Sequence, residues 1–244
     1  MGSKPYIAIV GGAGGIGQAI VSRYLNIGAS VLVIDKNDPP EGQISLVNSI
    51  IADVTNIDDI RLAARKLDDA GIVIDHLVSL AGGASNEEWT NGLREINDES
   101  IEASIRLNLT SHLWLVKYLM EDRKRCLRDR SVVFVSSINA LRGFGLTSYS
   151  AAKAGLLGAT RELACSLGRR GIRVNALLPG TVPTPRTLAE PKDFTKLLKT
   201  TALGHFAKPE DIAAGCYFLT HMTNAITGQA LVIDAGQSVH PPGC

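Results

Sequence analysis

The sequence lacks the features that would place a chain in a membrane or on nucleic acid. No apolar run reaches about 18 residues, the length of a membrane-spanning helix, and no long apolar segment follows the first five residues, 1–5. The formal net charge is only +1, so the charge balance gives no reason to expect nucleic acid or an anionic lipid surface as a partner. These absences predict a cytoplasmic protein with neither kind of partner.

Metal-binding and disulfide patterns are also missing. The four cysteines, Cys126, Cys165, Cys216 and Cys244, are widely spaced and form no C-x-x-C pair, and the five histidines are scattered. Reduced thiols and no metal site are therefore predicted. Cys165 and Cys216 fall in apolar helical patterns and are expected to be buried packing residues. Aromatic residues make up 5% of the chain against 45% hydrophobic residues, which indicates an aliphatic core.

The length of 244 residues suits one α/β domain spanning 1–244. Short apolar runs alternate with helical patterns along the whole chain, which predicts a doubly wound, seven-stranded parallel sheet with helices on both faces. The predicted strands are 6–10, 31–34, 49–52, 74–80, 132–135, 173–178 and 231–234.

A glycine-rich loop separates the first predicted strand from an amphipathic helix. Gly11, Gly15 and Gly17 give the pattern G-x-x-x-G-x-G, which permits a tight turn, close approach to a phosphate and close helix packing. The helix N-terminus offers N–H groups to a pyrophosphate. Asp35 ends the second strand, where a carboxylate binds ribose hydroxyls and repels a 2′-phosphate. This favours NAD over NADP, with an ordinary strand-end aspartate as the alternative.

A hydroxyl, a phenol and an amine are brought together by the fifth strand and the helix that follows it. Ser136 and Ser137 end the strand, and Tyr149 and Lys153 open the helix on one face, because they are four residues apart. A cation beside a phenol favours the phenolate and lowers the tyrosine pKa toward neutral pH. The phenol can then exchange a proton with a substrate oxygen held by Ser137. The alternative is a tyrosine that packs and a lysine that is solvated.

The stretch from Ser136 to Gly155, with the glycine loop before it, resembles the motifs of the classical short-chain dehydrogenases/reductases. The resemblance extends from Tyr6 to Gly236. It implies a Rossmann-like fold and an NAD-dependent oxidoreductase that interconverts a secondary alcohol and a ketone.

The resemblance also implies roles for the catalytic residues. Ser137 positions the substrate oxygen, Tyr149 is the acid/base, and Lys153 lowers the pKa of Tyr149 and binds the nicotinamide ribose. Asn108 kinks the long helix 98–127 and holds a water in a proton relay to the lysine. Ser136 remains a minor alternative to Ser137, since the spacing to the tyrosine is one residue shorter than usual.

The implied cofactor-binding residues lie after successive strands. At Asp53 the alternative is a cap for the helix that follows, near Asn56. Ser79 and Leu80 stand where the family usually has two asparagines, so Ser79 is expected to replace only part of their bonding. Val10 stands where the family usually has threonine. The implied set is Gly11, Gly15, Ile16, Gly17, Asp35, Asp53, Val54, Ala81, Gly82, Tyr149, Lys153, Pro179, Gly180, Val182 and Thr184.

Residues 85–96 are predicted to form a polar loop over the site, and 185–205 a substrate lid. Family members are often tetramers, and the small residues Ala154, Gly155, Gly158 and Ala159 permit close helix contact, so a homotetramer is expected.

Three functions are alternatives to that of an oxidoreductase. A catalytically silent NAD(H)-binding regulator has no need of the three catalytic residues together, an epimerase or dehydratase usually needs a larger carboxyl-terminal region, and a scaffold explains none of the motifs. The substrate stays open among steroid, sugar, polyol, acyl thioester and cyclic alcohol.

Overall fold

A parallel sheet of seven strands forms the centre of the molecule, in the order β3-β2-β1-β4-β5-β6-β7. The computed structural model describes residues 4–120, 129–190 and 193–239. Each neighbouring pair of strands is parallel, which confirms the predicted doubly wound sheet. The strands are β1 (Tyr6–Val10), β2 (Ser30–Asp35), β3 (Asn48–Ile51), β4 (His76–Ser79), β5 (Arg130–Val135), β6 (Ile172–Pro179) and β7 (Ala230–Ile233).

Helices connect the strands and cover both faces of the sheet. No helix within the described ranges is both long enough and apolar enough to cross a membrane. The α-helices are α1 (Gly15–Asn26), α2 (Glu41–Ile44), α3 (Ile57–Asp69), α4 (Asn86–Thr90), α5 (Asp98–Ile105), α6 (Ser111–Leu115), α7 (Thr147–Gly168), α8 (Pro185–Leu188), α9 (Phe194–Leu198) and α10 (Pro209–Tyr217).

Two hydrophobic cores form because successive strand residues point to opposite faces of the sheet. In β1, Ala8 and Val10 pack into the core shared with α3, α6 and α7. Ile7 and Ile9 pack into the core shared with α1 and α10. The continuous apolar runs of the sequence thus correspond to strands that are buried on both sides.

The predicted long helix runs without a break from Asp98 to Met120, and its predicted end at 121–127 lies outside the described residues. It is not a uniform α-helix. Two π turns, Arg106–Thr110 and Val116–Met120, flank α6. Asn108 lies inside the first π turn, which widens the helix at the position of the expected kink.

Two predictions about local structure are wrong. Residues 85–96 are not simply a loop, because Ser85 and Glu88 form a capping box that starts α4. Cys165 is exposed rather than buried, because it follows Ala164 and falls off the buried stripe of α7. Cys216 is buried as predicted.

One of the small residues expected at a subunit interface is used within the chain. A Cβ on Gly155 would lie 2.8 Å from a methyl of Leu109, so this glycine permits close packing of α7 against the first π turn. Gly158 has open space around it.

Candidate active site

A cleft of about 880 Å³ opens where β1 and β4 end side by side. At this point the chain crosses to opposite halves of the sheet, which is where doubly wound folds bind ligands. The cleft is lined by all the predicted cofactor residues and by Ser137, Tyr149 and Lys153. Asn108 is absent from its lining and lies behind it. In the described part of the chain, no cluster of three or more metal-ligating side chains occurs.

The glycine loop fits a pyrophosphate group because its backbone is tightly packed and has no side chains in the way. Gly11 has a φ of +87°, and a Cβ there would lie 2.8 Å from the Ala81 nitrogen. A Cβ on Gly17 would overlap the Gly11 carbonyl oxygen. No side chain caps the N-terminus of α1, so its backbone N–H groups are available to an anion.

Asp35 is placed to do more than bind ribose. Its Oδ2 accepts a hydrogen bond of 3.0 Å from the Ala13 backbone N–H, and its Oδ1 accepts one of 3.0 Å from the Asn37 N–H. The carboxylate therefore ties the glycine loop to the end of β2.

The two serines that end β5 have different environments. Ser136 Oγ donates a 2.8 Å hydrogen bond to the Lys153 carbonyl and so anchors α7. Ser137 Oγ donates to Asn139 Oδ1 at 3.0 Å and accepts from the Asn139 N–H at 3.2 Å. Ser137 also forms a side-chain hydrogen bond with Tyr149 that lowers the phenol pKa. The geometry thus favours Ser137 over Ser136 as the partner of the tyrosine.

The net direction of the Tyr149 pKa is opposite to the one expected from the sequence. Burial raises this pKa, and the hydrogen bond with the Ser137 side chain and the charge of Arg186 only partly oppose the rise. Burial, helped by the charge of Arg186, also lowers the pKa of Lys153 to about 7. Lys153 Nζ donates to the Val135 carbonyl at 3.0 Å and lies 5.7 Å from the Tyr149 ring centroid. A lysine that loses its charge near neutral pH stabilises a phenolate less.

Asn108 fixes the loop that follows β4. Its Oδ1 accepts from the Gly83 N–H at 2.9 Å, and its Nδ2 donates to the carbonyls of Gly83 and Ser104, each at 3.0 Å. The amide group of Asn108 is therefore occupied by hydrogen bonds within the protein. A Cβ on Gly82 would lie 2.6 Å from Asn108 Oδ1 and 3.2 Å from Lys153 Nζ, which places this asparagine close to the lysine.

Ser79 forms a hydrogen bond with His112 that was not predicted from the sequence. Its Oγ and His112 Nδ1 are 2.7 Å apart, and both residues are fully buried. Burial lowers the pKa of His112, and the nearby Lys153 adds to this effect, so the imidazole is neutral. This pair braces β4 against α6 at the place where the family's asparagines are missing.

The alternative role for Asp53 is wrong. Asn56 is the residue that caps α3, by accepting from the Asp58 N–H at 3.0 Å. Asp53 Oδ1 instead accepts from the Thr55 N–H at 2.8 Å at the rim of the cleft.

Two residues of the site, Arg186 and Glu88, were not predicted from the sequence. Arg186, in α8, reaches across the cleft and donates from Nη1 to the Gly82 carbonyl at 2.6 Å. A Cβ on Gly83 would overlap its guanidinium group. Glu88 is a buried carboxylate that contacts the first turn of α7. Neither residue belongs to a periodic sequence pattern, and each contacts residues that are far away in the sequence.

Comparison with known proteins agrees with this geometry. Residues 11–238 match a family model described as enoyl-(acyl carrier protein) reductase. The chain is 32% identical to the 3-oxoacyl-[acyl-carrier-protein] reductase FabG of Thermotoga maritima, over 93% of this chain and 95% of that protein. It is 29% identical to the L-rhamnose-1-dehydrogenase of Scheffersomyces stipitis, over 96% of each.

A solved structure of similar sequence has the same fold. An oxidoreductase of the short chain dehydrogenase/reductase family from Burkholderia thailandensis is 34% identical and superposes with a TM-score of 0.84. The match covers 97% of this chain and 93% of that one.

Proposed function

The chain belongs to the short-chain dehydrogenase/reductase family, and on that premise we propose that it is an NAD-dependent oxidoreductase interconverting a secondary alcohol and a ketone. The observation that carries the proposal is the convergence of Ser137, Tyr149 and Lys153 on one cleft with the glycine loop. NAD, when bound, supplies the hydride acceptor at its nicotinamide ring. The protein's part is to orient the substrate and to move a proton.

Each of the three side chains has a separate task. Ser137 turns its hydroxyl from Asn139 to the substrate oxygen and holds that oxygen beside the phenol. Tyr149 accepts the hydroxyl proton in the oxidation direction and returns it in the reduction direction. Lys153 holds the ribose end of the cofactor and, when charged, stabilises the phenolate. Asn108 keeps the Gly83 loop in place behind the lysine.

The preference for NAD rests on the carboxylate of Asp35. It lines the cleft beside the glycine loop, where an aspartate accepts from ribose hydroxyls and repels a 2′-phosphate. The other groups that line this stretch of the cleft include Lys36 and Asp38, so the local charge is not positive overall. NADP is therefore expected to bind more weakly.

We also propose that the chain forms one domain, 1–244, in which 185–205 acts as the substrate lid. We further propose that copies of the chain assemble as a homotetramer. Support for the lid comes from Arg186, Thr187 and Lys196, which line the cleft from this segment. Support for the assembly comes from the open space around Gly158 on α7.

The test is NADH formation with a panel of secondary alcohols, sugars and 3-hydroxyacyl thioesters, with NADP in parallel. Tyr149→Phe removes only the phenol oxygen and is expected to lower turnover by about 10²–10⁴-fold. Tyr118→Phe is the matched control, because its hydroxyl accepts from Arg61 at an exposed position on the protein. Tight NADH binding with no turnover on any substrate, equal in wild type and Tyr149→Phe, would instead support the regulator.

A further inference from the structure

Glu88 is a buried carboxylate with an unusual position in the fold. It lies in α4, between β4 and α5, and is only 2% exposed. A carboxylate is rarely buried to this degree unless it is paired or hydrogen-bonded, because removing its charge from water is costly. Its contacts therefore identify what it does.

Four donors converge on the two carboxylate oxygens. Oε1 accepts from Ser148 Oγ at 2.5 Å and from the Tyr149 N–H at 2.9 Å. Oε2 accepts from Ser104 Oγ at 3.2 Å and from the Ser85 N–H at 3.4 Å. Each oxygen accepts from one backbone N–H and one serine hydroxyl, so both oxygens are fully used by these contacts.

One of these bonds replaces a cap that α7 does not have. Its N-cap residue, Leu146, makes no side-chain hydrogen bond to the helix, so the first backbone N–H groups need another acceptor. Glu88 accepts one of them, from Tyr149, and a negative charge at a helix N-terminus is also favourable. The cap of the catalytic helix thus comes from a residue about 60 positions earlier in the chain.

The charge of Glu88 acts on the phenol as well as on the backbone. Burial has the largest effect on the Tyr149 pKa and raises it, and the charges of Glu190 and Glu88 raise it further. Arg186 acts in the opposite direction, and Lys153 Nζ lies 5.7 Å from the ring centroid. Glu88 therefore favours the protonated phenol.

We propose that Glu88 is a positioning residue, which fixes the place of Tyr149 by holding the first turn of α7 through its carboxylate. This inference rests on the proposed function of Tyr149 as the acid/base. It assigns to the segment after β4 a role in orienting the proton donor, in addition to covering the cleft. The negative charge keeps the phenol protonated to higher pH.

The first test compares Glu88→Gln with Glu95→Gln. Both substitutions remove one negative charge from the segment 85–96, but Glu95 is exposed and, among the described residues, accepts only from the Gly92 N–H. Glu88→Gln is expected to lower kcat by about 100-fold with NADH affinity unchanged within about twofold. It is also expected to move the pH profile of oxidation to lower pH. A kcat and a pH profile equal to those of Glu95→Gln would overturn the proposal.

A second readout does not depend on turnover. Ultraviolet difference titration of wild type against Tyr149→Phe isolates the ionisation of this phenol among the five tyrosines. Repeating it in the Glu88→Gln background should give a lower titration midpoint, and an unchanged midpoint contradicts the proposal. If no substrate is turned over by wild type while the midpoint still moves, the proposed function fails, and what stands is the effect of Glu88 on the Tyr149 phenol.

Ser148→Ala tests the same contact without removing the charge. It deletes the hydroxyl that donates to Glu88 Oε1 and leaves the Tyr149 N–H bond in place. The expected result is a fall in kcat of about tenfold with no change in the pH profile. Wild-type kcat in this variant, in protein with a native circular dichroism spectrum, would show that the bond from Ser148 does not help to hold the first turn of α7, which contradicts this part of the proposal.

Discussion

Acid is expected to destabilise the protein through a histidine at the beginning of β4. His76 is only 4% exposed, its Nδ1 is 2.8 Å from Ser131 Oγ, and its ring centroid is 4.7 Å from that of His221. Burial lowers its pKa from 6.5 to about 3, and the neighbouring His221 adds to the effect. The imidazole is thus neutral in the folded protein at pH values where it binds a proton in the unfolded chain.

The sign and the size of the effect follow from this difference in pKa. Between about pH 3 and pH 6.5 the unfolded state binds more protons, so the stability from His76 is complete above pH 6.5 and is lost as the pH falls. One proton corresponds to about 1.4 kcal/mol per pH unit. Lowering the pH from 7.5 to 5.0 should therefore reduce the free energy of unfolding by about 2 kcal/mol through His76 alone.

Urea unfolding at pH 7.5 and pH 5.0 measures this loss in wild type, His76→Gln and His205→Gln. Glutamine removes the titration and keeps a side chain that can bond Ser131. The loss of stability between the two pH values should be about 2 kcal/mol smaller in His76→Gln than in wild type. His205 is exposed and, within the part of the chain that the structure describes, bonds only the Phe206 carbonyl, so its variant should behave as wild type does. Equal losses in wild type and His76→Gln would refute the assignment.

Three further outcomes are expected. Asp35→Ser should lower the ratio of kcat/KM for NAD to that for NADP by about tenfold or more, in steady-state kinetics with both cofactors. Gly17→Ala should abolish NADH binding measured by fluorescence, because the new Cβ overlaps backbone, whereas Gly158→Ala has open space and should bind normally. Ser79→Ala should lower the free energy of unfolding by about 1–3 kcal/mol, because it removes the buried partner of His112; wild-type stability would contradict this.

The strands and the glycine loop could be predicted from the sequence because each depends on residues that are adjacent in the chain. A buried parallel strand is a continuous apolar run, as in β1, and a loop that needs Gly11 and Gly17 shows both in one short stretch. The cleft could be predicted as well, since parallel strands bring their carboxyl ends to one edge of the sheet.

The contacts of Glu88 and Arg186 could not be predicted in the same way. Each of them connects segments that lie far apart in the chain. Glu88 belongs to the capping box of α4, but that motif does not predict its contact with α7, and Arg186 has no motif. The predicted direction of the Tyr149 pKa shift was wrong for a related reason. Counting nearby charges predicts a lower pKa, whereas burial, which the sequence does not give for a single side chain, is the dominant influence.

The two π turns around α6 divide one continuous helix into parts with different helical phase. A π turn holds an extra residue, which is about 100° of rotation in an α-helix. Deleting one residue from Arg106–Thr110 would therefore let the turn close as an ordinary α turn with His112 and Leu115 still facing the sheet, whereas an α turn formed without the deletion would rotate them away by about 100°. The face that α6 presents to the sheet consequently depends on the extra residue being accommodated within the π turn that contains Asn108.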